Sequence, residues 1–242
     1  MADQLLARTA GPGPGWRTRV RSRLVDSPTS LGASARQRRW ELFTDLFPDV
    51  ARLRVVDLGG TVEAWRRAPV RPREVVVVNL YEPGDPADPT LVPVTGDACR
   101  ARAVLAEAGV GGAFDLVFSN SLLEHVGGHA QRRALAEEVR ALAPRHWVQT
   151  PYRYFPVEPH WLFPGMQFLP VAARARVARS WPLVHTLPAS LDEAVSDVLW
   201  TELVGVTELR SYFPDSRVVR ERMGGLTKSI VAVRTRAPHG RA

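Results

Sequence analysis

The feature that most constrains this chain is the run Glu74-Val75-Val76-Val77-Val78-Asn79-Leu80. Four consecutive valines leave no polar face for water, so the segment reads as a strand covered on both sides. Such strands belong to mostly parallel sheets with helices on each face. The flanking sequence agrees. Residues 53–58 read as a strand ending in Gly59-Gly60, 91–95 as a short third strand, 114–119 as a fourth and 146–149 as a fifth. Helical patterns over 98–108 and 129–142 alternate with them. Gly109 closes the first, and Leu135, Val139 and Leu142 share one side of the second. This alternation predicts an α/β fold with a doubly wound sheet. Ligands of such sheets bind at the carboxyl ends of the strands. Those ends carry Asp57, Asn79, Ser119 and Gln149-Thr150.

The rest of the chain departs from this rhythm. Residues 1–28, with Gly11-Pro12-Gly13-Pro14-Gly15, favour neither helix nor central strand and read as a flexible tail. The main domain is therefore expected over 29–242. A helix over 31–47 carries Trp40, Phe43, Leu46 and Phe47 on its apolar side and stops at Pro48. Residues 151–215 read as a small helical cap or lid, with helices at 171–180, 190–200 and 207–213. Trp161, Phe163, Met166, Phe168 and Trp181 are expected to line a pocket or to hold the cap in place. Two last strands, 217–222 and 226–234, form a hairpin around Gly224-Gly225.

Composition excludes more than it assigns. One cysteine, Cys99, rules out an internal disulfide framework and any multi-cysteine metal site, and suits a reducing cytoplasm. No secretory pattern opens the chain, and no apolar run reaches the roughly 18 residues of a membrane helix. The net charge is +7, nearly all of it arginine, with Lys228 the sole lysine. Nucleic-acid binding would need these arginines on one contiguous surface. They are scattered along the sequence, which favours solvated helix faces.

Over about 53–235 the residues resemble the class I S-adenosylmethionine-dependent methyltransferases, of the type that modifies ubiquinone and menaquinone precursors. Asp57-Leu58-Gly59 is similar to that family's first motif and Gly96-Asp97-Ala98 to its adenine-contacting motif. The run from Phe114 to Val126, with Ser119-Asn120-Ser121-Leu122-Leu123-Glu124-His125, is similar to its fourth-strand motif. The resemblance implies a Rossmann-like seven-stranded sheet of order 3-2-1-4-5-7-6 with the last strand antiparallel. It also implies S-adenosylmethionine as cofactor and S-adenosylhomocysteine as product. Two departures stand out. Thr61 and Glu63 occupy positions where the family usually has glycine, and Asn79 occupies that of an acidic residue.

By the same resemblance Asp57, Gly59, Gly60, Asn79, Leu80, Asp97, Ala98, Ser119 and Asn120 are the expected cofactor residues. The glycines admit the ligand close to a strand end and helix start. Asn79 is placed beside the ribose diol, Asp97 and the Ala98 N–H beside the adenine, and the Ser119 and Asn120 carbonyls near the ammonium. Asp97 also suits a helix N-cap. For the chemistry, Pro156-Val157-Glu158-Pro159-His160-Trp161 follows the fifth strand and falls at the same sheet edge. His160 titrates near neutrality and is the first candidate base, with Glu158 to orient it or replace it and His125 as a further candidate. Acids and histidines do not cluster in the sequence, and no metal is expected. Methyl transfer to a small molecule, at oxygen, is the leading reading. A nucleic-acid methyltransferase and a catalytically silent binding protein are the rivals. A nicotinamide-binding domain fails because Gly59-Gly60-Thr61-Val62-Glu63-Ala64 lacks the Gly-x-Gly-x-x-Gly spacing.

Overall fold

A computed structural model describes residues 31–84, 87–183 and 187–235; the expected tail, residues 1–28, lies outside them. In chain order the elements are α1 (Leu31–Leu46), β1 (Arg54–Leu58), α2 (Val62–Arg66), β2 (Glu74–Asn79), β3 (Leu91–Thr95), α3 (Ala101–Glu107), β4 (Leu116–Asn120), α4 (His129–Leu142) and β5 (His146–Pro151). Two short strands follow, β6 (Val157–Glu158) and β7 (Phe163–Pro164). Then come α5 (Val171–Ser180), α6 (Leu191–Trp200), α7 (Val206–Tyr212), β8 (Arg217–Met223) and β9 (Leu226–Arg234).

Seven strands form one sheet in the order β3-β2-β1-β4-β5-β9-β8. The first five are parallel, and β9 runs antiparallel to both β5 and β8. Numbering only the strands of this sheet, the order is 3-2-1-4-5-7-6, as the sequence implied. The valine run is buried from Val75 through Asn79. Its alternate side chains feed two cores. Val76 and Val78 join Val56, Leu58, Leu105, Leu135, Val139, Leu209 and Phe213 on one face. Val75 and Val77 join Val55, Phe43, Phe47, Trp65 and Trp147 on the other. Each fully buried valine contributes about 1.5–3 kcal/mol.

Aromatic rings dominate the second face. Trp40 of α1 stacks on Phe118 at 5.6 Å between centroids, and Phe43 meets Trp147 edge-on at 5.4 Å. Trp65 of α2 meets Phe118 at 5.1 Å. Arg39 bonds both oxygens of Glu221, at 2.8 and 2.9 Å, and so ties α1 to β8.

Between β5 and β8 the cap has a small core of its own. Met166, Ala175, Ala178, Ala194 and Val198 are buried there, with Trp161 and Phe163 packed against them. Alanines on facing turns let α5 and α6 approach closely. Phe163 also meets Trp181 edge-on at 4.9 Å, and Phe168 is exposed. Of the five residues expected to line a pocket or hold the cap, Trp161, Phe163, Met166 and Trp181 pack within the cap, Phe168 does not, and none lines the main cavity. Beyond α6, the Glu202 N–H donates to the Glu124 carbonyl at 2.9 Å, which fastens the cap to the loop after β4. The helix expected over 98–108 starts as a short 3-10 turn, Ala98–Arg100, before α3. Among the described residues no helix is long and apolar enough to cross a membrane.

Candidate active site

A cavity of about 500 Å³ opens at the carboxyl ends of β1, β2 and β4. Its first wall is the turn after β1. Gly59 has φ +87°, and a Cβ there would lie 2.8 Å from Leu122 Cδ1. Gly60 is constrained harder, since a Cβ would fall 1.7 Å from Asp57 Oδ2. The Asp57 carboxylate thus folds over Gly60, and only glycine leaves it room. Its Oδ2 accepts from Trp65 Nε1 at 2.7 Å, and its Oδ1 is buried without a hydrogen-bond partner. Burial pushes the carboxyl up to about 7, against the opposing pull of the Trp65 bond.

The departures in this motif have structural explanations. Thr61 caps α2 by accepting from the Ala64 N–H at 3.2 Å. Glu63 points out of the cavity to Arg66 and Arg67, at 3.5 and 2.8 Å, so it offers no repulsion to a bound carboxylate. Asn79 donates through Nδ2 to the Gly60 carbonyl at 2.8 Å and the Gly59 carbonyl at 3.3 Å, and accepts through Oδ1 from the Tyr81 N–H at 3.1 Å. A carboxylate has no proton to give those carbonyls, so the amide is what holds the turn. Asn79 does line the cavity, but its donors serve the protein's own backbone.

Leu80, Asp97 and Ala98 line the next stretch, together with Tyr81 and Cys99. Asp97 also caps the 3-10 turn, its Oδ1 accepting from the Cys99 N–H at 2.8 Å. Burial, with Asp97 beside it, pushes the Cys99 thiol up to about 12, so it is no nucleophile. Asn120 is in the wall, where its Oδ1 accepts from Trp147 Nε1 at 3.0 Å. Ser119 is fully buried beneath the floor and donates to the Leu58 carbonyl at 2.9 Å, joining β4 to β1. Eight of the nine expected cofactor residues therefore border the cavity, and Ser119 supports it from below.

The far end is polar. His125, from the loop after β4, and His160, from the turn between β6 and β7, both line the cavity, with Trp200 of α6 beside them. Their Nε2 atoms are 3.1 Å apart. Glu158 stands behind His160 and out of the cavity wall. It is buried, takes the backbone N–H groups of His160 and Trp161 at 2.8 Å each, and meets His160 Nδ1 at 2.6 Å. Burial, and then the neighbouring His160, push His125 down to about 3, so its ring is neutral at physiological pH. Glu124 is wholly buried next to them. Its Oε2 accepts from the Thr150 hydroxyl at 2.9 Å, and its Oε1 has no hydrogen-bond partner. The sequence shows Glu124 only as an acid inside the apolar stretch Leu122–Val126, and that was the available signal. The other described histidines are occupied elsewhere, His129 on the Tyr212 hydroxyl at 3.0 Å and His146 on Ser216 Oγ at 2.7 Å.

Two solved structures match over nearly the whole chain. One is the magnesium protoporphyrin IX methyltransferase of Synechocystis PCC 6803 with bound S-adenosylhomocysteine, 13% identical, with a TM-score of 0.50, covering 96% of this chain and 94% of its own. The other is the N-methyltransferase NodS of Bradyrhizobium japonicum WM9 with S-adenosyl-L-homocysteine, 12% identical, with a TM-score of 0.50, covering 98% of both chains. The fold is that of the class I methyltransferases. Neither a protein-family profile nor a curated protein sequence matches the chain. In the methyltransferase fold the ligand edge of the sheet is the carboxyl edge, where this cavity lies.

Proposed function

We propose that this chain transfers a methyl group from S-adenosylmethionine to a hydroxyl of a small-molecule acceptor. The observation that carries the reading is the cavity at the carboxyl edge of a methyltransferase-fold sheet, with the bare Asp57 Oδ1 at one end and the histidine pair at the other. Its volume of about 500 Å³ falls within the roughly 300–1,000 Å³ of small-molecule sites. The polar groups fit the cofactor. A buried carboxylate oxygen without a donor suits the amino-acid ammonium, Asp97 suits an adenine amino group, and Gly59 and Gly60 keep the space between them open. The two structural relatives, both with S-adenosylhomocysteine bound, support the same choice.

Bound there, the cofactor supplies an electrophilic methyl on a sulfonium whose departure leaves a neutral thioether. The protein then has two tasks. It must align the acceptor oxygen with the methyl carbon, and alignment alone can lower a barrier by up to about 7–11 kcal/mol. It must also handle the acceptor proton. His160 and His125, which border the cavity beside Trp200, take that role, with Glu158 behind His160. The arginines support a small acceptor over a nucleic acid: Arg54, Arg71, Arg102, Arg132, Arg145 and Arg153 are each paired with a carboxylate.

Calorimetry with S-adenosylhomocysteine tests the reading. The full chain should bind one equivalent and melt at higher temperature with ligand. No binding at millimolar ligand would end the methyltransferase reading.

A further inference from the structure

We infer that Glu124, His125 and His160 form a binding site for one divalent first-row transition-metal cation at the acceptor end of the cavity. Residues 124 and 125 lie on the loop after β4, and His160 lies in the turn between β6 and β7, 35 positions after His125. One ligand atom from each of the three lies within 4.8 Å of the others.

The pairing of the two rings is the first argument. His160 turns Nδ1 to the Glu158 carboxylate at 2.6 Å, the bond expected when that nitrogen carries the proton. Its Nε2 then holds a lone pair. His125 turns Nδ1 toward the Thr201 hydroxyl at 3.4 Å, and the ring hydrogen-bonds the Trp200 backbone. With that proton on Nδ1, the His125 Nε2 is turned to His160. The two Nε2 atoms face each other across 3.1 Å, with the rings nearly perpendicular at 85°. A shared proton bridges them in the metal-free protein, and a metal cation that replaces it finds both nitrogens aimed at it. The spacing fits one: nitrogens at about 2.0–2.1 Å from a shared metal, at right-angled to tetrahedral separation, lie about 2.8–3.4 Å apart.

The second argument is independent of the rings. Glu124 is 0% exposed, and its Oε1 has no hydrogen-bond partner. A bare carboxylate oxygen in a dry interior is costly unless a positive charge answers it. The third is Glu158. Ligating histidines usually give their second ring nitrogen to a carboxylate, which fixes tautomer and orientation. Glu158 does this for His160, and is itself held by two backbone N–H groups. Two imidazoles and one carboxylate with open positions suit Mn²⁺, Fe²⁺, Co²⁺ or Zn²⁺.

This inference deepens the proposed transfer to oxygen and rests on that reading for its role. Both histidines border the cavity, so the open positions face the acceptor. A hydroxyl held by the cation loses its proton more easily, and the proton passes to solvent water. The freed electron pair on oxygen forms the new bond to the methyl carbon, and the pair of the breaking S–C bond stays on sulfur. In the loaded protein His125 and His160 are ligands, and Glu158 is a positioning residue.

Metal binding is read separately from cofactor binding. The full chain, stripped with chelator and dialysed, is titrated with Mn²⁺ by the loss of free-ion EPR signal and with Co²⁺ by visible d–d absorption. One equivalent should bind in each case, and the melting temperature should rise. His125→Ala and His160→Ala should weaken binding at least 100-fold. Glu158→Gln, which preserves shape, should weaken it about 10–100-fold with S-adenosylhomocysteine affinity intact. Should either alanine variant fail to fold, Glu158→Gln and the wild-type Co²⁺ spectrum decide. No saturable binding of Mn²⁺ or Co²⁺ at millimolar concentration overturns the site, as does binding that the variants leave unchanged. Metal binding without S-adenosylhomocysteine binding would keep this site and remove the methyl-transfer reading. The converse result would remove the metal alone.

Discussion

Asp57 is 2% exposed, with one oxygen on the Trp65 indole and the other bare. Its carboxyl, raised from 3.8 to about 7, is half protonated near neutrality in the free protein. A ligand ammonium there favours the carboxylate. S-adenosylhomocysteine affinity should therefore climb from about pH 5.5 to 7.5, by at most roughly tenfold per unit, and level off above. Binding near pH 6 should release protons, which calorimetry in buffers of differing ionisation enthalpy measures; Asp57→Asn should abolish the slope. Stability runs the other way. The folded pKa lies above the unfolded one, so the folded state holds the proton more tightly between pH 4 and 7. Stability is greatest below about pH 4, falls as pH rises to about 7, and is then flat. The total drop is on the order of 4 kcal/mol. Urea melts of wild type and Asp57→Asn at pH 5 and pH 8 check the sign. A second residue-scale test is Gly60→Ala. The added methyl would fall 1.7 Å from Asp57 Oδ2 and must evict the carboxylate. Affinity for S-adenosylhomocysteine should drop at least tenfold, and a crystal structure showing Asp57 unmoved would refute the argument.

At the scale of elements, the cap has a core of small residues separate from the two cores of the sheet. Ala175 and Ala178 of α5 face Ala194 and Val198 of α6. Ala178→Leu inserts methylenes where there is no room and should cost about 1–3 kcal/mol. Because α6 ends at Trp200, and Glu202 bonds the Glu124 carbonyl, the loss should reach the acceptor end first. Turnover is expected to fall more than S-adenosylhomocysteine affinity, whose proposed residues sit at the carboxyl ends of β1 to β4, away from the cap. Hydrogen exchange should show α5 and α6 opening before the sheet. Long elements were legible in the sequence because their apolar periods are long: the valine run, the helix over 129–142 and the hairpin all occur where expected. The two-residue strands β6 and β7 and the five-residue α2 were not, since no period can be read in so few positions. The residues proposed for the cofactor were legible as candidates because they come in contiguous turns after strands. His125 and His160 were legible as candidates too, but their meeting and Glu124 were not. Glu124, His125 and His160 meet only through the sheet order, and nothing local in the sequence joins residue 125 to residue 160.

Across the whole molecule, one face of the sheet connects α1 to the cavity. Phe43 is fully buried among Trp40, Phe118 and Trp147, and Phe118 carries Trp65, which holds Asp57. Phe43→Ala should cost about 3–5 kcal/mol and also loosen Trp65. A drop in S-adenosylhomocysteine affinity larger than unfolding explains, read at a temperature where the variant is fully folded, checks the link. The sheet order has a further consequence, for synthesis. The last strand among the described residues, β9, does not lie at the rim but between β5 and β8. While the chain emerges from the ribosome, β5 has a bare edge until residue 234 is out. That edge is Trp147, Val148 and their neighbours, the kind of unpaired strand that recruits other chains. A nascent or clipped chain that lacks β9 is therefore the aggregation-prone species, and the emergence of β9 is the event that lets the sheet close.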